Sequence, residues 1–127
     1  MFFDVYNELG FVFREPTCLA AMTVAFQDCR LEVARQVSIP MWFRGKKMGR
    51  YFADIVEERK VLLELKAGRW LEPAHAAQLL HYLQGTEVEI GLLLNFDFRP
   101  QFRRLILDNE RKKIRGNPSE SVAEVSA

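Results

Sequence analysis

Val61-Leu62-Leu63-Glu64-Leu65-Lys66 is the stretch that decides the fold. It is a short and almost unbroken apolar run, which is how a strand covered on both faces reads, so it belongs at the centre of a sheet. Yet it carries Glu64 and Lys66, two positions apart and therefore on one face. Charged residues are rarely buried unless they are paired or bind a metal. The preceding apolar run, Tyr51-Phe52-Ala53-Asp54-Ile55-Val56, holds a further acid, and the polar Glu58-Arg59-Lys60 joins the two runs. With those three residues as the loop, Glu57 faces Val61, Asp54 faces Glu64 and Phe52 faces Lys66. In that register Asp54, Glu64 and Lys66 converge on one face.

Working outward, residues 34–43 place Val37, Ile39, Met41 and Phe43 at alternate positions, the pattern of a half-buried strand. Pro40 assigns that strand to an edge or a bulge. Arg44 to Gly49 reads as the turn into a strand over 50–57. Upstream, residues 2–9 suit a short helix stopped by Gly10, and Glu15-Pro16-Thr17 opens a helix running to about residue 32. That helix is filled by Leu19, Met22, Val24, Phe26 and Leu31. Downstream, Glu72-Pro73 starts a second long helix, closed by Gly85. Val88 to Phe96 is a buried strand, and Arg104 to Leu107 forms a last one. The expected class is α/β, a mixed sheet flanked by helices.

Two carboxylates set opposite each other repel, and the cost rises as water is removed. A divalent cation relieves it. Oxygen donors at this spacing suit Mg²⁺ or Mn²⁺, whose shells are completed by water and phosphate oxygens. Such an ion lowers the pKa of bound water and stabilises charge on a phosphate, and Lys66 beside it could orient or deprotonate the water. This is the equipment of phosphodiester hydrolysis. From the residues alone, the same pattern equally fits acids on the solvated face of a strand.

At 127 residues the chain has the size of one domain, and with 49% hydrophobic residues it can bury a core. We expect a domain over residues 1–110 and a polar, frayed tail over 111–127. Net charge is uninformative at +1, so the local clusters matter more. Arg44, Lys46, Lys47 and Arg50 form one basic group; Arg99, Arg103, Arg104, Arg111, Lys112, Lys113 and Arg115 form another. Both suit phosphates or plain solvation. Cys18 and Cys29 make neither a metal-ligand spacing nor a disulfide framework. His75 and His81 are not a same-face pair, which excludes a histidine metal site. Trp42 and Trp70 read as packing residues rather than base-stacking platforms. No run approaches the about 20 apolar residues of a membrane helix, and no leader is visible, so a cytoplasmic setting without membrane contact is expected.

At these residues the chain resembles the PD-(D/E)xK nuclease superfamily, and within it the small bacterial GxxExxY proteins. The resemblance runs over about residues 5–108 and rests on blocks in the right order. They include Asn7-Glu8-Leu9-Gly10, Arg35-Gln36-Val37-Ser38-Ile39-Pro40, the two runs quoted above, His75 to Leu83, Gly91 to Phe96 and Arg103 to Leu107. It implies an αβββαβ core like a restriction endonuclease. It also implies that Asp54 and Glu64 are metal-binding acids, with the backbone carbonyl of Leu65 as a further ligand, and that Lys66 is the catalytic lysine. Glu15, on the first core helix, would be the additional metal-site acid, and Gln78, on the second, the polar residue reaching the site. The chain departs from the pattern where the name motif asks for Gly, Glu and Tyr, since it has Val12, Glu15 and Cys18, and where a proline often precedes the first acid, since it has Ala53. The family usually has a longer first helix.

The implied function is a Mg²⁺- or Mn²⁺-dependent nuclease acting on phosphodiesters of DNA or RNA. The rival expectation is a catalytically inactive module on the same fold, working with a protein partner or as a homodimer.

Overall fold

The computed structural model describes residues 1–112, the side chain of Trp42 excepted. The elements are α1 (Phe2–Leu9), α2 (Glu15–Asp28), β1 (Val33–Phe43), β2 (Lys46–Glu57), β3 (Val61–Lys66), α3 (Pro73–Gln84), β4 (Ile90–Asn95) and β5 (Gln101–Ile106). A 3₁₀ turn, Asn109–Arg111, follows. Among the described residues the strands form one sheet in the order β1-β2-β3-β4-β5. Neighbours are antiparallel except β3 and β4, which run parallel because α3 carries the chain from one to the other. The α/β class and the mixed sheet expected from the sequence are what the chain adopts, with the Val61–Lys66 run at its centre.

Two apolar layers sandwich the sheet. On one face α1 and α2 bury Phe2, Val5, Leu19, Met22 and Phe26 against Ile55, Leu63, Leu65 and Phe96. On the other, α3 buries Leu79, Tyr82 and Leu83 against Ile39, Ala53, Leu62 and Leu93. The α3 layer comes very close to β4: a Cβ on Gly91 would stand 2.9 Å from Leu79. Leu79 is fully buried and has nowhere to retreat, so only glycine fits.

Helix ends differ in detail from expectation. The first long helix stops at Asp28, before residue 32, because Arg30 takes a left-handed φ of 61°. The Leu31 N–H then donates to Phe26 O at 3.0 Å and the Arg30 N–H to Gln27 O at 2.9 Å. This is a Schellman ending with arginine in the usual glycine position, so no glycine announced it. Val24, counted among the apolar filling of that helix, is 55% exposed. The second long helix begins as expected, with Glu72 and His75 closing a capping box; the Glu72 N–H donates to His75 Nδ1 at 3.2 Å.

The β1–β2 connection is tighter than the six-residue turn read from the glycines. Phe43 pairs with Lys46, and the turn is only Arg44-Gly45, with φ of 51° and 75°. Positive φ at both positions matches the right-handed twist of the flanking strands. Lys46 to Gly49 therefore belong to β2 as well, and Met48 forms a bulge between the Met41–Gly49 and Trp42–Lys47 pairs. Trp70 is not a packing residue: it is 58% exposed, beside Phe3 and Phe102. The expectation for the Trp42 side chain, and the tail from residue 113 onward, lie outside the described residues. Lys112 is buried, its Nζ donating to Thr86 O at 2.9 Å and Val88 O at 2.6 Å. Among the described residues no helix is long and apolar enough to cross a membrane.

Candidate functional site

The β1–β2 hairpin changes face halfway along, and this break creates the site. Val33 in β1 packs into the α1/α2 layer, whereas Val37 and Met41 pack into the α3 layer. Residues an even number apart in a regular strand share a face, so the alternation is broken between them. The break falls at Gln36, whose φ is 53°. In β2 the same switch separates Ala53, in the α3 layer, from Ile55, in the α1/α2 layer. Asp54 lies between them.

The β2–β3 ladder also ends here. Glu57 pairs with Val61, Val56 with Leu62 and Ile55 with Leu63, the register expected from a three-residue loop. The next step is made by side chains. Glu64 Oε1 accepts the Asp54 N–H at 3.1 Å, and Asp54 Oδ2 accepts the Leu65 N–H at 2.8 Å. The two acids thus take over the backbone donors that a continuing ladder would have used, and the strands separate. Asp54 and Glu64 come together as expected. Phe52 does not meet Lys66: it pairs with Ser38 on β1 and is 52% exposed. The expected register fails there because the acids stop the ladder before it reaches that pair.

Glu64 is 4% exposed. Burial, and after it the charge of Asp54, pushes its carboxyl from 4.5 up to about 8; the Asp54 N–H and Lys66 oppose this without cancelling it. Burial also raises Asp54, against the Leu65 N–H and Lys66, with Glu15 adding to the rise. Lys66 is therefore the nearby positive charge felt by both acids, and Glu15 a third negative one. Glu15 sits at the start of α2 and shares a small cleft of about 210 Å³ with Arg35, Gln36 and Asp54. Among the described residues no three His, Cys, Asp or Glu side chains are close enough to hold a metal together. The structure brings Asp54 and Glu64 into contact and leaves Glu15 beside them.

The donor set fits a hard divalent cation. Asp54 and Glu64 each use one carboxylate oxygen on a backbone N–H and keep the other. Mg²⁺ is commonly bound through one or two carboxylates, with water and phosphate oxygens for the rest. A buried carboxyl that binds a proton near neutral pH is a place where a cation would be welcome.

On the α3 side of the sheet, Gln78 and Tyr82 line a larger cleft of about 400 Å³ with Met41, Tyr51, Ala77 and His81. Tyr82 is 4% exposed, and its hydroxyl is pushed up to about 12, by burial first and then by Glu64 and Asp54. Gln78 thus lines this cleft together with Tyr82, and His75 is occupied with the helix cap.

Three residues with a part in this geometry escape a reading of the sequence. Asn95 is fully buried beside Lys66 in the parallel β3–β4 pair. Its Nδ2 donates to Gly68 O at 2.8 Å and its Oδ1 accepts the Gly68 N–H at 3.0 Å, which pins the chain just after Lys66. A polar residue ending an apolar strand was the available signal. Gln36 gives no signal, because polar residues are ordinary at strand positions. Tyr51 lies in phase with Ile39 and Ala53, but only its position over α3 makes it a cleft wall.

The family model for the PD-(D/E)XK nuclease superfamily matches residues 1–105. No curated protein matches the chain. Among solved structures, one described as "Crystal structure of SSO0001" is similar, with a TM-score of 0.50 and 17% identity. The match covers 71% of this chain and 48% of that one, so this chain spans about half of that protein's length. That likeness concerns the fold. Members of the superfamily generally use divalent metals and act on nucleic acid. With nearly its whole described length covered by the family model, the chain belongs to the PD-(D/E)XK nuclease superfamily.

Proposed function

We propose that the chain is a Mg²⁺- or Mn²⁺-dependent nuclease of the GxxExxY type that hydrolyses phosphodiester bonds in DNA or RNA. The observation that carries this is the reciprocal clasp between Asp54 and Glu64, which brings a half-buried and a buried carboxylate together near Lys66. Asp54 and Glu64 hold the cation through their remaining oxygens, with the Leu65 carbonyl as a further donor. When bound, the ion supplies an acidified water and neutralises charge on the phosphate. Lys66 would orient an attacking water or take its proton, and would stabilise the negative charge that develops. Glu15, which shares the small cleft with Asp54, would be the additional acid whose negative charge favours the cation. Gln78 holds the substrate at the α3 side. The basic hairpin tip, Arg44 to Arg50, meets the phosphates.

The exposed Phe3, Trp70 and Phe102 beside β5 favour a second reading, a module that works against a protein partner or a second copy of the chain. One experiment separates the two. Purified protein is incubated with Mg²⁺ or Mn²⁺ and a mixture of DNA and RNA substrates, beside Asp54→Ala and Lys66→Ala. Metal-dependent cleavage that falls by at least about a hundredfold in both variants, with circular dichroism unchanged, is the expected result. Undiminished cleavage by Lys66→Ala would sink the catalytic assignment. Absence of cleavage together with Mn²⁺ binding lost in Asp54→Ala would leave the module reading standing.

A further inference from the structure

We propose that the cleft between α3 and the outer half of the β1–β2 hairpin is a subsite for an unpaired nucleobase, so that the substrate is a single strand or a frayed end rather than an intact duplex. This inference rests on the nuclease reading for its setting, but its test does not depend on cleavage.

The walls of the cleft suit a base. Tyr51 forms one of them, 49% exposed, with its ring centroid 6.3 Å from that of Tyr82. Met41 and Ala77 add apolar surface. The Gln78 amide and the His81 imidazole supply donors and acceptors at the same opening, which is where the edge of a base would present its own. Flat aromatic surface with a few polar groups is the usual equipment for holding an unstacked base. The volume of about 400 Å³ is in the range of small-molecule sites.

Position and charge point to nucleic acid rather than to another apolar occupant. Glu64 alternates with Leu63 and Leu65, which pack under α1 and α2, so it lies on the α3 face of the sheet, the face on which Tyr82 lines the cleft. The strands that carry Met41 and Tyr51 lead directly to the hairpin tip with Arg44, Lys46, Lys47 and Arg50, all exposed. Arg50, next to Tyr51, is fixed by a bond from Nη1 to Ser38 Oγ at 3.1 Å. A phosphate on the hairpin side of the base therefore meets positive charge. A base inside a duplex has both faces covered by its neighbours and cannot enter a cleft between a helix and a hairpin. The face change at Gln36 and Asp54 is what makes the cleft, since it turns the outer half of the hairpin over α3.

The test measures binding in EDTA, where metal-dependent cleavage does not interfere. Fluorescence anisotropy follows the full chain with a labelled single-stranded DNA, the matching RNA and a blunt duplex of the same sequence. The expected result is single-strand binding at least about tenfold tighter than duplex binding, with Tyr51→Ala lowering the single-strand affinity about tenfold and leaving the duplex unchanged. Tyr51→Trp retains the affinity and adds a fluorescence quench with single strands only. Circular dichroism of each variant checks folding. The DNA and RNA arms say which strand is preferred. Equal binding of duplex and single strand, an equal loss of both in Tyr51→Ala, or no binding of any oligonucleotide would overturn the proposal. A chain that binds single strands through Tyr51 yet cuts nothing refutes the nuclease reading alone. One that cuts, with Tyr51→Ala binding single strands like the parent, refutes this inference alone.

Discussion

Asp54 and Glu64 are joined through each other's strands: Glu64 Oε1 accepts the Asp54 N–H at 3.1 Å, while the Asp54 carboxylate accepts the N–H of Leu65, next to Glu64. The clasp satisfies the backbone where the ladder stops, but it brings the half-buried Asp54 up to the buried Glu64. Its consequences follow from that conflict.

The first concerns pH. Glu64 binds its proton more tightly in the folded chain, at about 8 against an ordinary 4.5. A raised carboxyl favours the fold while it is protonated. That contribution is fully present below about 4.5 and is lost as pH rises through about 8. Metal-free protein should therefore lose stability between pH 5 and pH 8.5, on the order of a few kcal/mol from this group. Urea unfolding in EDTA at the two pH values measures it. Glu64→Gln should flatten the difference, and an equal pH response in that variant would show that Glu64 is not the source.

A cation competes with that proton. Binding requires the ionised carboxylate, so it must displace the proton at low pH. The thermal shift produced by Mn²⁺ is expected to be larger at pH 8.5 than at pH 6, and to vanish in Asp54→Ala. A shift that is independent of pH would place the ion elsewhere.

Asn95 should matter more than its distance from the acids suggests. Asn95→Leu leaves the Gly68 N–H and carbonyl without their partner, at about 1–3 kcal/mol for each group that stays buried. Asn95→Asp keeps the acceptor but buries a charge and turns a carboxylate oxygen toward Gly68 O, so it should cost no less than the leucine. Hydrogen exchange at Gly68 would report the loosened segment directly, and unchanged exchange in Asn95→Leu would remove the pin from the account of how Lys66 is held.

The face change in the hairpin hangs on Gln36. At a φ of 53° a β-branched side chain is strained, whereas glycine is at ease. Gln36→Val is expected to lose about 1–3 kcal/mol in chemical denaturation, and Gln36→Gly to stay within about 1 kcal/mol of the parent. Equal tolerance of both would mean that the backbone there is not held as described.

Much of the fold was legible before any coordinates. The alternation in β1, the unbroken run of β3 and the Pro-led starts of α2 and α3 are local signals, and local rules decide such elements. The pairing of Glu57 with Val61 was legible too, because a three-residue loop leaves little freedom. The early end of α2 at Asp28 and the two-residue Arg44-Gly45 turn were not, because arginine occupies left-handed positions where glycine is the usual marker. Trp70 reads as core by its type and lies at the surface, since type sets only a tendency.

What the sequence determined by itself is the pair of strands, their register near the loop, and the presence of acids and a lysine in apolar runs. Those follow from side-chain periodicity and loop length, which act over a few residues. Only the tertiary structure decided that the ladder breaks at Asp54, that Glu64 answers it through a backbone N–H, that Asn95 fastens the chain beyond Lys66, and that Tyr51 comes to face Tyr82. Each of these joins residues from different elements. They depend on which faces of the sheet α2 and α3 cover, and that is settled by burying all the apolar surface at once.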